Sequence, residues 1–146
     1  MSMNDDQLLR YSRQMMLPEI DAAGQEALMK AHVLIIGMGG LGSAASLYLA
    51  SAGVGQLTIV DFDTVDLSNL QRQILYTTDD IGRPKVEAAR ARLKATNPDV
   101  GINVINQRLD GDALLERVSR ASVVVDCCDN FQTRFAINSA CQQAGK

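Results

Sequence analysis

Four short runs of the chain are apolar at nearly every position, and the stretches between them carry apolar residues at helical spacing. The runs are His32 to Ile36 (H-V-L-I-I), Gln56 to Val60 (Q-L-T-I-V), the weaker Ile102 to Ile105 (I-N-V-I), and Ser122 to Asp126 (S-V-V-V-D). A continuous apolar run of strand length suits a parallel strand covered on both faces. Helices are expected from Leu41 to Ala52, Lys85 to Thr96, Asp112 to Arg120 and Asn130 to Ala144. Gly53 and Gly55 stop the first of these. Pro84 suits the first helical position of the second, and Asn97-Pro98-Asp99 ends it. On the last helix Phe131, Phe135, Ile137, Ala140, Cys141 and Ala144 fall near helical spacing, and Gly145 is a C-cap candidate. Two earlier helices, Asp5 to Gln14 and Asp21 to Lys30, precede the alternation. Strand and helix alternate four times. This predicts an α/β, Rossmann-like fold: a mostly parallel sheet, helices on both faces, right-handed crossovers. The division expected is an N-terminal helical extension over 1–31 and a nucleotide-binding domain over 32–146.

The first strand runs into Gly37, Gly39 and Gly42, spaced G-x-G-x-x-G, with Gly40 between them. Glycines there let the backbone approach a phosphate, and the following helix N-terminus favours an anion. Asp61 closes the second strand 19 residues past Gly42, where a carboxylate can accept both ribose hydroxyls. Asp63 and Asp66 lie close by and either hold metal or face water. Residues 64–78 form a polar segment, irregular or short-helical and long for a plain connection. It carries Asn69, Gln71 and Arg72, and Lys85 follows at a helix start, where a cation opposes the helix dipole. Fixed cations of this kind stabilise charge at a reacting phosphoryl group. Asp129 and Asn130 follow the fourth strand, at the carboxyl end where ligands of open α/β sheets bind. Asp129 is placed to support magnesium on phosphates, and one of the pair also suits the N-cap of the last helix.

The 146 residues are 47% hydrophobic, enough for a sizeable single core, and the net charge is −3 with no basic block. Nucleic acid and anionic membranes are therefore not expected partners. No apolar run approaches a membrane span, and the polar, acidic start (M-S-M-N-D-D-Q) is wrong for a signal peptide, so a cytoplasmic protein is expected. Three cysteines, Cys127, Cys128 and Cys141, form no paired framework, and His32 is the only histidine. Zinc held by this chain alone is not expected.

Taken in order, R-Y-S-R-Q, G-M-G-G-L-G, S-A-G-V-G, D-F-D-T-V, L-S-N-L-Q-R-Q, G-R-P-K and D-C-C-D-N resemble the ubiquitin-activating-enzyme-like adenylyltransferases, the MoeB/ThiF/HesA group. The resemblance runs from about residue 7 to the end. It implies an enzyme that uses ATP and Mg2+ to adenylate the C-terminal glycine carboxylate of a ubiquitin-like β-grasp sulfur-carrier protein, in molybdopterin or thiamine biosynthesis. It places Gly40 against the phosphates and Asp61 on the ribose. It puts Asn69, Arg72 and Lys85 on the triphosphate and Asp129 on magnesium, and it sends Arg13 into the active site of the partner subunit of a homodimer. Cys128 stands where the family often has threonine, with little effect expected. The resemblance covers only the N-terminal half or so of a family member; the paired C-x-x-C zinc motifs, much of the carrier surface and any sulfur-transfer cysteine would belong to the remainder. An NAD-dependent oxidoreductase fits the glycines and Asp61 equally well, but not the charged stretch from Asn69 to Lys85. A non-catalytic nucleotide-binding scaffold is the other alternative.

Overall fold

The computed structural model describes residues 3–146. Four parallel strands, β1 (His32–Ile36), β2 (Gln56–Val60), β3 (Gly101–Ile105) and β4 (Val123–Asp126), lie in the order β3-β2-β1-β4. The order reverses at β1, so β1 and β4, neighbours in space, send their chains to opposite flanks. A crevice opens at such a switch point, beyond the carboxyl ends of the strands.

Strand alternation divides the core in two. Val33, Ile35, Leu57 and Ile59 face one apolar cluster, and Leu34, Ile36 and Val60 face the other. Helices α3 (Gly40–Ser51) and α4 (Lys85–Thr96) cover the first; α5 (Gly111–Arg120) and α6 (Phe131–Ala144) cover the second. Helices on both faces explain why β1 and β2 are apolar at consecutive positions. Of the apolar residues on α6, Ile137 and Ala140 are buried, whereas Phe131 and Phe135 are exposed and stack on each other, ring centroids 6.2 Å apart. Gly145 ends α6 in the left-handed region, φ 66°, as a C-cap glycine does.

Helices α1 (Asp5–Met15) and α2 (Asp21–Lys30) dock on the first face rather than standing apart. Tyr11, 2% exposed, lies against Gly53, and its hydroxyl accepts from Asn97 Nδ2 at 2.8 Å. Gln14 donates to the Ala52 carbonyl at 2.8 Å and to Gln25. The backbone N–H of Gly55 donates to the Leu28 carbonyl, so the end of α2 is tied to the turn that enters β2.

Pro84 departs from the expected position: it is the N-cap of α4, with extended ψ of 131°, and Lys85 is the first helical residue. Pro84 bridges Thr64 as an isolated antiparallel pair, and that contact holds it outside the helix.

Candidate functional site

A cleft of about 530 Å³ lies beyond the carboxyl ends of β1, β2 and β4. Gly37, Gly39, Gly40, Asp61, Asn69, Arg72, Lys85, Asp129 and Asn130 all line it. Three positions read from the sequence do not. Gly42 is buried in the first turn of α3, where a Cβ would overlap the Gly37 carbonyl; its glycine serves close helix–strand packing. Gln71 is exposed and turned away, and Gln73 takes a place in the cleft instead. Arg13 sits on the exposed side of α1, away from this cleft.

The glycine loop is braced from several sides. Gly37 has φ 96°, and a side chain there would press within 2.6 Å of the Cys127 carbonyl oxygen. The Met38 N–H donates to Asp61 Oδ2 at 2.7 Å, while Asp61 Oδ1 accepts from the Asp63 N–H at 2.8 Å. Asp61 thus holds the loop and the next turn while each oxygen keeps a lone pair for a ligand hydroxyl. Below the loop, the Tyr76 hydroxyl donates to the Met38 carbonyl at 2.6 Å. Burial, and then the negative charge of Asp61, push the Tyr76 pKa far up, which keeps that hydroxyl a donor.

The polar segment between β2 and α4 is short-helical at both ends, with turns at Leu67–Asn69 and Thr78–Asp80. Asp66 caps the first turn: its carboxylate accepts from the Ser68 N–H, and its own N–H donates to Asn69 Oδ1. The Ser68 hydroxyl, and then the Ser68 N–H, hold the Asp66 carboxyl below its ordinary range. Among the described residues the amide NH2 of Asn69 has no partner and is left to donate. The Gln73 N–H bonds back to the Asn69 carbonyl at 2.9 Å, so Asn69, Arg72 and Gln73 share one side of a helical turn. Arg72 passes over Gly40, its guanidinium donating to the Ser68 carbonyl at 3.0 Å. Lys85 is 5% exposed, and its Nζ pairs with the exposed Asp63 carboxylate at 3.3 Å.

Asn130 caps α6, its Oδ1 accepting from the Thr133 N–H at 2.9 Å, which leaves Asp129 as the exposed carboxylate beside the cleft. Gln107, Arg108 and Leu109 after β3, and Arg134 on α6, also line the cleft; none was marked by the sequence reading. Arg134 donates to the Cys128 carbonyl at 2.9 Å. Cys127 packs toward the first apolar cluster and Cys128 toward the second. Burial, and then the nearby Asp126 carboxylate, raise both thiol pKa values; at Cys128 the carboxylate does so partly by accepting the thiol's hydrogen bond on Oδ1. Neutral thiols of this kind are poor nucleophiles. Among the described residues no three His, Cys, Asp or Glu side chains gather as a metal cage, and no helix is long and apolar enough to cross a membrane.

The sheet order and the glycine-loop cleft at its switch point define a Rossmann-like α/β protein. A model of the ThiF family matches residues 11–146. The sulfur carrier protein ThiS adenylyltransferase of Escherichia coli is 55% identical over 139 residues, 95% of this chain and 55% of that protein. The molybdopterin-synthase adenylyltransferase of Salmonella typhimurium is 51% identical over 142 residues, 97% of this chain and 57% of that protein. A crystal structure of the E. coli tRNA N6-threonylcarbamoyladenosine dehydratase TcdA in complex with ATP superimposes with a TM-score of 0.89. It is 27% identical, and the match covers 99% of this chain and 59% of that one. The chain belongs to the ThiF family, as its motifs indicated. It spans about half the length of the curated relatives it matches.

Proposed function

We propose that this chain is the nucleotide-binding part of an ATP-dependent adenylyltransferase that activates the C-terminal glycine carboxylate of a ubiquitin-like β-grasp sulfur carrier. The observation that carries it is one cleft lined by a glycine loop, a ribose-type carboxylate and the donors Asn69, Arg72 and Lys85. The names of the relatives, adenylyltransferases for ThiS and for molybdopterin synthase, support the same reading.

In the proposed reaction Asp61 holds the ribose and the α3 N-terminus faces the phosphates. The carrier carboxylate oxygen attacks the α-phosphorus, the bond from that phosphorus to the bridging oxygen breaks, and pyrophosphate leaves. Arg72 and Lys85 stabilise the charge gathering on the leaving group. No side chain needs to form a covalent bond, which agrees with the neutral thiols. Magnesium fits without a protein cage, because it is commonly held by one or two carboxylates, waters and substrate phosphates. Asp129 would supply the carboxylate, and the ion would neutralise charge on the phosphates. Zinc belongs, on this reading, to the part of the protein outside this chain.

The test is ATP–pyrophosphate exchange by the full-length protein with candidate carriers. Exchange is expected only with a carrier whose C-terminal glycine carboxylate is free. No exchange with any carrier, combined with binding of NAD and not ATP, would overturn the proposal in favour of an oxidoreductase.

We further infer that the enzyme is a cytoplasmic homodimer in which Arg13 enters the partner's cleft, since it is exposed on α1 and does not line its own. Arg13→Ala and Lys85→Ala proteins should each lose exchange. Mixing them through reversible unfolding should restore about a quarter of wild-type activity, because half the dimers then hold one intact site of two. No recovery on mixing would place Arg13 in its own subunit's chemistry or in none.

A further inference from the structure

Met38, in the middle of the glycine loop, is held at both of its backbone polar groups. Its N–H donates to Asp61 Oδ2 at 2.7 Å, and its carbonyl accepts from the Tyr76 hydroxyl at 2.6 Å. Tyr76 is 4% exposed and lies in the first apolar cluster, so its hydroxyl approaches the loop from the core. It does not line the cleft. A trans peptide sets its C=O and N–H in opposite directions, and no peptide among the described residues is cis. With the Met38 carbonyl drawn into the core, the Gly39 N–H of the same peptide points the other way. Gly39 lines the cleft, and among the described residues its N–H meets no acceptor. It stands beside the open N–H groups that begin α3.

We infer that Tyr76 is a positioning residue for the phosphates: through the Met38 carbonyl it turns the Gly39 N–H into the cleft as an anion donor. The hydrogen bond to the carbonyl also polarises that peptide, which strengthens its N–H as a donor. Tyr76 belongs to the same polar segment as Asn69 and Arg72, and its own N–H donates to the Gln73 carbonyl at 3.1 Å. One buried hydroxyl therefore sets the backbone half of the anion site against its side-chain half. This role rests on the nucleotide reading of the cleft and adds to it a residue that acts from outside the lining.

The experiment uses the full-length protein, wild type and Tyr76→Phe, which keeps the ring and removes only the hydroxyl. Calorimetry compares ATP with adenosine, which lacks phosphate. ATP affinity should fall about 3- to 10-fold in Tyr76→Phe, the range of one lost neutral hydrogen bond, and adenosine affinity should stay within about twofold. General loosening of the cleft would not give that split. The Gly39 amide supplies a second readout. Met38–Gly39 is the one Met–Gly step in this chain, so isotope labels on methionine carbonyl carbon and glycine nitrogen select its peptide in the NMR spectrum. Its signal should move downfield when ATP binds the wild type, stay in place with adenosine, and move far less in Tyr76→Phe at saturating ATP. Equal losses for ATP and adenosine, unchanged ATP affinity, or the same shift in both proteins would overturn the inference and leave the nucleotide reading standing. If Tyr76→Phe fails to fold, as judged by circular dichroism, Tyr76→fluorotyrosine carries the comparison. Its more acidic phenol is a stronger donor, so the Gly39 signal should lie further downfield before ATP is added, and an unmoved signal would overturn the inference. A wild-type protein that binds neither compound would remove both readings.

Discussion

Lys85→Ala is expected to lower carrier-dependent ATP–pyrophosphate exchange by on the order of a hundredfold or more, the scale of losing a fixed charge donor at a reacting centre. Two effects add. The ammonium is nearly buried at the cleft wall, so its charge acts with little solvent screening. Its partner in the chain is Asp63, 3.3 Å away, and without Lys85 that carboxylate faces the triphosphate uncompensated. The double variant Asp63→Asn/Lys85→Ala should therefore recover part of the loss. Steady-state exchange across ATP concentrations measures both. A loss below roughly fivefold in Lys85→Ala, or no recovery in the double variant, would place Lys85 in structure rather than in the chemistry.

Gly42→Ala should act on the fold itself. A methyl there overlaps the Gly37 carbonyl, which is backbone and cannot turn aside, so α3 must lift from the end of β1. The expected cost is about 3 kcal/mol, the upper part of the overpacking range, with nucleotide affinity lost alongside. Gly82→Ala is the contrast: unlike Gly42 it has positive φ, 86°, and its Cβ would meet open space. Strain alone should cost about 1–2 kcal/mol there. Urea denaturation of the three proteins separates the two causes; equal destabilisation would refute the packing role of Gly42.

The regular elements were legible because each carried its own punctuation. Apolar runs marked the strands, and Gly53, Gly55, Asn97-Pro98 and Gly145 marked helix ends where the structure places them. The cleft was legible as far as its residues sat at fixed offsets from those elements: the glycines after β1, Asp61 after β2, Asp129 after β4. It was less legible inside residues 64–78, where no repeating pattern fixes which side chains turn inward. Gln71 was taken for Gln73 because adjacent polar residues look alike in sequence. Reading the segment as a single helical turn from Asn69 would have chosen positions three and four residues on, Arg72 and Gln73. The residues Gln107 and Arg108 gave no such signal, because they reach the cleft only through the placement of β3 beside β2. Pro84 was misplaced by one position because its pairing with Thr64 is a tertiary contact.

The docking of Tyr11 against Asn97 sets an order for biosynthesis. The two side chains that hydrogen-bond in the finished protein are 86 residues apart in sequence. At about 5–20 residues per second, a ribosome completes α4 roughly 4–17 s after α1 has been made. During that interval α1 has α2 and the Ala52–Gly53 turn to settle on but lacks the α4 side of its seat, and Tyr11, buried in the native state, stays open to chaperones and proteases on that side. A substitution that weakens the Tyr11–Asn97 seat would thus reduce yield in the cell before it measurably altered the purified protein.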